Sequence, residues 1–173
     1  LEVQNCIATV QLTALSPNAN VTPVPSDLVT RKSWDLKLST GTSRFRLAPP
    51  DVDDRHTFRF ALLSDVQEAI DRVQDIYSAM NQEPELRFLL GAGDLTQRGS
   101  VEQLSRCQAE LAALDIPYYT TLGNHELGQT PPPYQEWFGR ASFQFVYRGV
   151  YFTLLDSANA TLDPLVYEWL DDW

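Results

Sequence analysis

Histidine, cysteine and methionine are almost missing from this chain of 173 residues: His56 and His125, Cys6 and Cys107, and Met80 are all there are. Cys6 falls in a predicted strand and Cys107 in a predicted helix, with no metal-ligand spacing between them. They therefore read as buried thiols, with a disulfide left open. Basic residues are also few, 13 Lys and Arg against 23 Asp and Glu, a net charge of −10. That balance argues against a nucleic-acid groove or an anionic membrane surface as the natural partner, and an anionic substrate would need cations to offset the field. No apolar run reaches the length of a membrane span. The chain starts at Leu1 without Met and shows no basic-then-apolar leader, so upstream sequence is expected to be missing from it. There is no repeat and no low-complexity tract.

What is present is the material of one folded unit, 43% hydrophobic and 21% charged. Three short apolar runs stand out: Phe58-Arg-Phe-Ala-Leu-Leu-Ser-Asp65-Val-Gln67, Phe88-Leu-Leu-Gly-Ala-Gly93-Asp94-Leu-Thr-Gln-Arg-Gly99 and Thr120-Thr-Leu-Gly-Asn-His-Glu126. Each closes on an oxygen-bearing side chain, Asp65, Asp94 or Asn124. Between the first two, Ile70, Val73, Ile76, Tyr77 and Met80 recur at helical spacing, which puts Met80 in a core stripe. Between the second and third, Ser100 can cap a helix that turns Val101, Leu104, Leu111 and Leu114 inward. The order β-α-β-α-β with crossovers of this length predicts neighbouring parallel strands whose carboxyl ends meet in one crevice. A proline-rich loop over 128–133, an antiparallel pair over 142–147 and 150–155, and a helix from Pro164 onwards follow.

The first part of the chain reads differently. Residues 6–14 alternate like a half-buried strand, 16–27 carry three prolines and read as a loop, and 34–38 with 45–47 read as a hairpin. Residues 1–54 are thus a small β-rich segment ending in a linker at 49–54, and 55–173 form the second unit. The β segment is either a separate sandwich or an extension of the main sheet. His56, just past the linker, reads as a surface histidine.

The blocks Ser64-Asp-Val-Gln67, Gly93-Asp-Leu-Thr-Gln-Arg-Gly99, Gly123-Asn-His-Glu126 and Leu154-Leu-Asp-Ser157 resemble those of calcineurin-like metallophosphoesterases, and within them the purple acid phosphatase-like branch. The resemblance runs from about Arg59 to the C-terminus. It implies an α/β fold, an α/β/β/α sandwich of which the first half is present, preceded by the small all-β segment. It also implies hydrolysis of phosphate mono- or diesters by a hydroxide bridging two divalent metals, Mn, Mg, Fe or Zn, among which the Gln67 amide in place of imidazole favours Mn. Asp65 and Gln67 would belong to the first metal, Asp94 would bridge, Asn124 would serve the second, and His125 would face the phosphate ester as a catalytic group. The other class of reading is a domain that binds metal or a partner without turnover.

Two departures matter. The usual Asp-x-His block here reads Asp65-Val-Gln67, and the later histidine blocks have no counterpart. The second departure implies that another polypeptide segment, or a second copy of the chain, covers one sheet face and completes the site. The β-rich start resembles that of some exported members, which leans towards a periplasmic or extracellular location. Three further residues keep two readings each: Glu126 as an imidazole partner or a solvated loop residue, Asp156 as a loop anchor or a ligand, and Arg98 as a substrate contact or an i,i+4 partner of Glu102. An amide oxygen is a harder, weaker donor than imidazole. Gln67→His is therefore expected to tighten metal binding and move preference towards Zn²⁺ in a metal titration. Unchanged affinity and selectivity would remove Gln67 from the ligand set.

Overall fold

Residues 1–3, 11–28 and 30–173 are described by the computed structural model of the chain. The early strands are β1 (Glu2–Val3), β2 (Gln11–Ala14), β3 (Ala19–Val24), β4 (Lys32–Leu38) and β5 (Phe45–Ala48). Among the described residues they form two small antiparallel sheets, one in the order β1-β4-β3 and one pairing β2 with β5, and neither joins the main sheet. The expected loop at 16–27 contains β3, in which Pro23 pairs opposite Trp34. Proline is tolerated there because β3 is an edge strand and the missing N–H faces no partner. The expected hairpin does not form. After β4, residues 39–44 cross to the other sheet, where Leu15 N–H bonds the Arg44 carbonyl and Ser16 Oγ accepts from Arg44 N–H. Cys6 and most of the strand expected over 6–14 lie outside the described residues.

The main sheet consists of β6 (Arg59–Leu63), β7 (Leu86–Ala92) and β8 (Tyr118–Thr121), parallel and in chain order. The central strand is covered on both faces, so Phe88, Leu89 and Leu90 are consecutively buried. One face meets a 3-10 turn (Gln67–Arg72) that runs into α1 (Gln74–Asn81), together with α2 (Val101–Leu111), through Val73, Tyr77, Leu89, Leu104, Leu111 and Tyr118. The tighter 3-10 winding shifts the stripe, so that Tyr77 is buried while Ile76 is exposed. Val101, expected inward, is exposed on the first turn of α2, and its inner face begins at Leu104. Ser100 caps that helix by accepting from Gln103 N–H at 3.3 Å.

Beyond β8 come a second 3-10 turn (Asn124–Gly128), α3 (Tyr134–Phe138), the pair β9 (Phe143–Tyr147) and β10 (Val150–Leu154), and α4 (Pro164–Asp172). The β9–β10 pair lies against the second face of the main sheet. Phe88 meets Phe145, Tyr147 and Phe152 edge-on, with ring centres 5.1–5.6 Å apart. The sheet face expected to be bare is therefore partly covered by the chain's own hairpin. Phe60 and Leu62 on the edge strand β6 remain 47% and 67% exposed. Helices, parallel sheet and hairpin make three successive layers.

Arg148 and Gly149, at the hairpin turn, both have positive φ, 50° and 81°, as a type I′ turn requires. Arginine is an unusual occupant, and its side chain accounts for it. The side chain is 3% exposed, and its guanidinium donates to Asp51 Oδ2 at 2.9 Å, to the Asp51 carbonyl and to the His56 carbonyl, with Asp54 Oδ2 at 3.2 Å. The stretch 49–54, which composition marks as a linker, is held against the hairpin. Thr30, fully buried, likewise ties the β-rich segment to the helices by donating to the Trp137 carbonyl at 2.6 Å and accepting from Gln108 Nε2 at 2.7 Å. Phe88→Ala should lower the unfolding free energy by about 3–5 kcal/mol in urea denaturation. Leu62→Ala, on the exposed edge, should stay within about 0.5 kcal/mol.

Candidate active site

Parallel register brings the three strand ends to one level. Leu63 of β6 pairs with Gly91, and Ala92 of β7 with Thr121. Asp65 and Asp94 stand two residues past their strands and Asn124 three. The turns are hydrogen-bonded to each other, Asp65 N–H to the Gly93 carbonyl at 3.4 Å and Gln67 N–H to the Asp94 carbonyl at 3.3 Å. Asp65, Gln67 and Asp94 all have φ in the left-handed region, +57°, +41° and +54°. Each such residue costs on the order of 1–3 kcal/mol, and three at one place mark a segment whose geometry is imposed by its surroundings.

Two glycines allow the turns to interlock. A Cβ on Gly93 would lie 2.6 Å from Gly123 N, and one on Gly123 would lie 2.0 Å from Asp94 Oδ1. Asp94 is thereby half-buried between its neighbours: Oδ2 accepts from Gln67 Nε2 and Oδ1 from His125 N–H, both at 3.2 Å. His125 Nδ1 lies 2.9 Å from the Gln97 carbonyl. A carbonyl can only accept, so the proton sits on Nδ1 and Nε2 is the nitrogen left for chemistry.

The carboxylates differ in how fully they are satisfied. Glu126 is completely buried and accepts four hydrogen bonds, from Asp94 N–H and Gly123 N–H on Oε2, and from Thr96 N–H and Thr96 Oγ1–H on Oε1, at 2.8–3.0 Å. A carboxylate has about four such sites, so Glu126 is saturated. Asp94 has two donors. Asp65, exposed, has one side-chain donor, Ser64 Oγ at 2.5 Å.

Gln67, Asp94 and His125 are thus in direct contact, and the turns bring Asp65 and Asn124 to the same end of the sheet. Asn124 is exposed. Gln67 presents its amide nitrogen, not its oxygen, to Asp94; a half-rotation of the amide exchanges the two. Asp156 sits between loops, its N–H on Ser142 Oγ and its Oδ1 on Ala158 N–H, as a loop anchor would. Among the described residues Arg98 forms no ion pair with Glu102, and its N–H is held by Gln103 Oε1 at 2.8 Å. His56 is exposed beside Asp54 Oδ1 at 2.6 Å. Glu126 fits neither reading open to it from sequence. It stands at the third position after Gly123 and reaches back to the Gly123 N–H, the acidic half of a capping box, a spacing that could have signalled its role. Cys107 is a buried free thiol whose pKa burial, chiefly, pushes up to about 12.

No group of three or more His, Cys, Asp and Glu side chains able to hold a metal occurs among the described residues. The donors at the strand ends are two carboxylates and two amide oxygens. All are hard oxygen donors, of the type that suits Mg²⁺ or Mn²⁺.

A parallel sheet with helices on one face, a hairpin on the other and Asp, Asp and Asn at adjoining strand ends has the organisation of a metallophosphoesterase-type fold. The calcineurin-like phosphoesterase family model matches residues 58–170, and the chain belongs to that family. Membership supports phosphoester hydrolysis with divalent metals in general terms, and the match singles out no branch. No curated protein and no solved structure matches the chain. Gly123→Ala should force Asp94 aside and lower stability by about 1–3 kcal/mol in urea denaturation, the usual effect of overpacking. Wild-type stability in that variant would show that the two turns are not interlocked.

Proposed function

We propose that this chain supplies Asp65, Gln67, Asp94 and Asn124 to a two-cation centre that hydrolyses phosphate mono- or diesters, with His125 facing the substrate. The observation that carries the reading is Asp94: a half-buried carboxylate at the end of a parallel sheet, fixed from both sides by one donor on each oxygen among the described residues. When bound, the cations would lower the pKa of a water and screen the phosphoryl oxygens. The oxygen donor set favours Mn²⁺ or Mg²⁺. Gln67 Nε2 and His125 N–H hold the Asp94 carboxylate in one orientation. His125, with Nδ1–H on the Gln97 carbonyl, keeps Nε2 as its acceptor nitrogen, which would take up a proton first and then pass it to a leaving oxygen. Four oxygen donors are few for two cations, so further donors, histidines among them, would come from a second polypeptide segment or a second copy of the chain.

One observation favours a different reading, binding without turnover: the Gln67 amide nitrogen already occupies Asp94 Oδ2. Mn²⁺ content of the full-length protein, measured beside its hydrolysis of p-nitrophenyl phosphate and the bis-ester, separates the two. Turnover that falls about 10²–10⁴-fold in His125→Ala, with metal retained, and that is lost together with metal in Asp94→Asn, is expected for the phosphoesterase. Metal binding without hydrolysis of either ester would favour the binding domain.

A further inference from the structure

We propose that Glu126 is a positioning residue, and that its carboxylate holds the Asp94 turn and the Asn124–His125 turn together as one rigid unit. This rests on the proposed site for its consequence, but its geometry stands apart from any metal. Three of the four donors to Glu126 are backbone N–H groups, and the four divide between the two turns. Asp94 N–H and both Thr96 groups come from the end of β7, and Gly123 N–H from the end of β8. Thr96 Oγ1 in turn accepts from Gly99 N–H at 2.9 Å, which extends the grip to the close of the β7 loop. The backbone there is tight as well, since a Cβ on Gly99 would lie 2.4 Å from the Glu126 carbonyl oxygen.

A buried carboxylate without a cationic partner persists only where donors replace its lost hydration. Here that requirement works in reverse. The charge is neutralised only while both turns keep their N–H groups aimed at it, so neither turn can shift without leaving a buried anion short of donors. Both functional contacts across the two turns ride on that arrangement: His125 N–H to Asp94 Oδ1, and His125 Nδ1 to the Gln97 carbonyl. Glu126 touches neither the imidazole nor the open side of Asp94. It acts through both.

Glu126→Gln keeps the size of the side chain but turns one acceptor oxygen into an NH₂ group that faces donors. Glu126→Asp keeps the charge and shortens the reach. The test reads the imidazole nitrogen shifts of His125 by NMR in the metal-free protein, where His56 is the sole other histidine. Wild type should show the single tautomer protonated on Nδ1, and Glu126→Gln a mixture of tautomers, with loss of amide exchange protection at Asp94, Thr96 and Gly123. Glu126→Asp should recover part of both. Leu111→Ala, a core change away from the turns, controls for general loss of stability and should leave the tautomer unchanged. In a parallel Mn²⁺ titration Glu126→Gln should bind about 10–100-fold more weakly, as loss of an orienting partner does. A single wild-type tautomer and wild-type protection in folded Glu126→Gln would overturn the proposal, as would an equal change in Leu111→Ala. Absence of Mn²⁺ binding in the wild type would instead count against the proposed metal centre, with the NMR result still deciding the role of Glu126.

Discussion

The close approach of two glycine turns, at the ends of β7 and β8, is the constraint on which the crevice depends. Gly93 and Gly123 leave so little space between the strand ends that the Asp94 side chain occupies the volume a Cβ of residue 123 would take. Asp94 is therefore placed first by backbone, and the Gln67 amide and His125 N–H then orient its carboxylate. Strand pairing supplies the level and the glycines supply the proximity. The left-handed conformations of Asp65, Gln67 and Asp94 are what the chain adopts to leave each strand and enter the turn within that space. Such strain persists where the surroundings over-determine it, and here they do. Backbone bonds join the β6 and β7 turns, and the Glu126 carboxylate joins the β7 and β8 turns.

Rigid turns need a rigid sheet, and three strands alone would be a marginal one. Two cores meet on it. The helical face is aliphatic with fully buried tyrosines, and the hairpin face is aromatic, with Phe88 at its centre. The hairpin is fixed from the far end of the sequence. Arg148, its side chain almost completely buried, draws Asp51, Asp54 and the His56 carbonyl onto the β9–β10 turn. Exposed ion pairs contribute little, but a guanidinium removed from water and met by two carboxylates and two carbonyls is strongly committed to that geometry. The residues that composition marks as a linker thus belong to the aromatic layer's support.

The parallel sheet, both crossover helices, the closing hairpin and the last helix were legible in the sequence because each carries a clear period and a cap or turn signal. Ser100, Pro164 and Arg148-Gly149 fall where those signals put them. The crevice was legible because three apolar runs end on oxygen donors. The β-rich start was read less well. In strands of four to seven residues, alternation identifies a strand without identifying its partner. The pairing of β5 with β2, and not with β4, is decided by tertiary contacts that local pattern does not encode. Pro23 argued for a loop because proline is excluded from central strands, but an edge strand lifts that exclusion. Val101 and Ile76 show that a helical stripe loses phase in its first turn or after a 3-10 segment. Glu126 is the least legible residue of the site, because its role lies in burial and in donors from another loop, which neither of its two sequence readings contains.

Three carboxylates of the region, Asp65, Asp94 and Glu126, occur in a chain that already carries a net charge of −10. In a partly dehydrated crevice like charges repel, and each must be met by donors or by cations. Glu126 is met by four donors and gains nothing from a cation. It also points into the protein, where it makes the backbone around Asp94 rigid. Among the described residues Asp94 meets two donors, and Asp65, exposed, meets one. The unmet charge is thus concentrated at the mouth of the crevice, while the charge beneath it is fully compensated. That division gives the neighbouring acids separate tasks: the saturated one maintains shape, and the unsaturated ones retain affinity for positive charge. A phosphate ester approaching Asp65 and Asp94 directly would meet repulsion. In the proposed centre, interposed cations would turn the same residues into its docking point, and substrate binding would be conditional on metal binding in a protein this acidic.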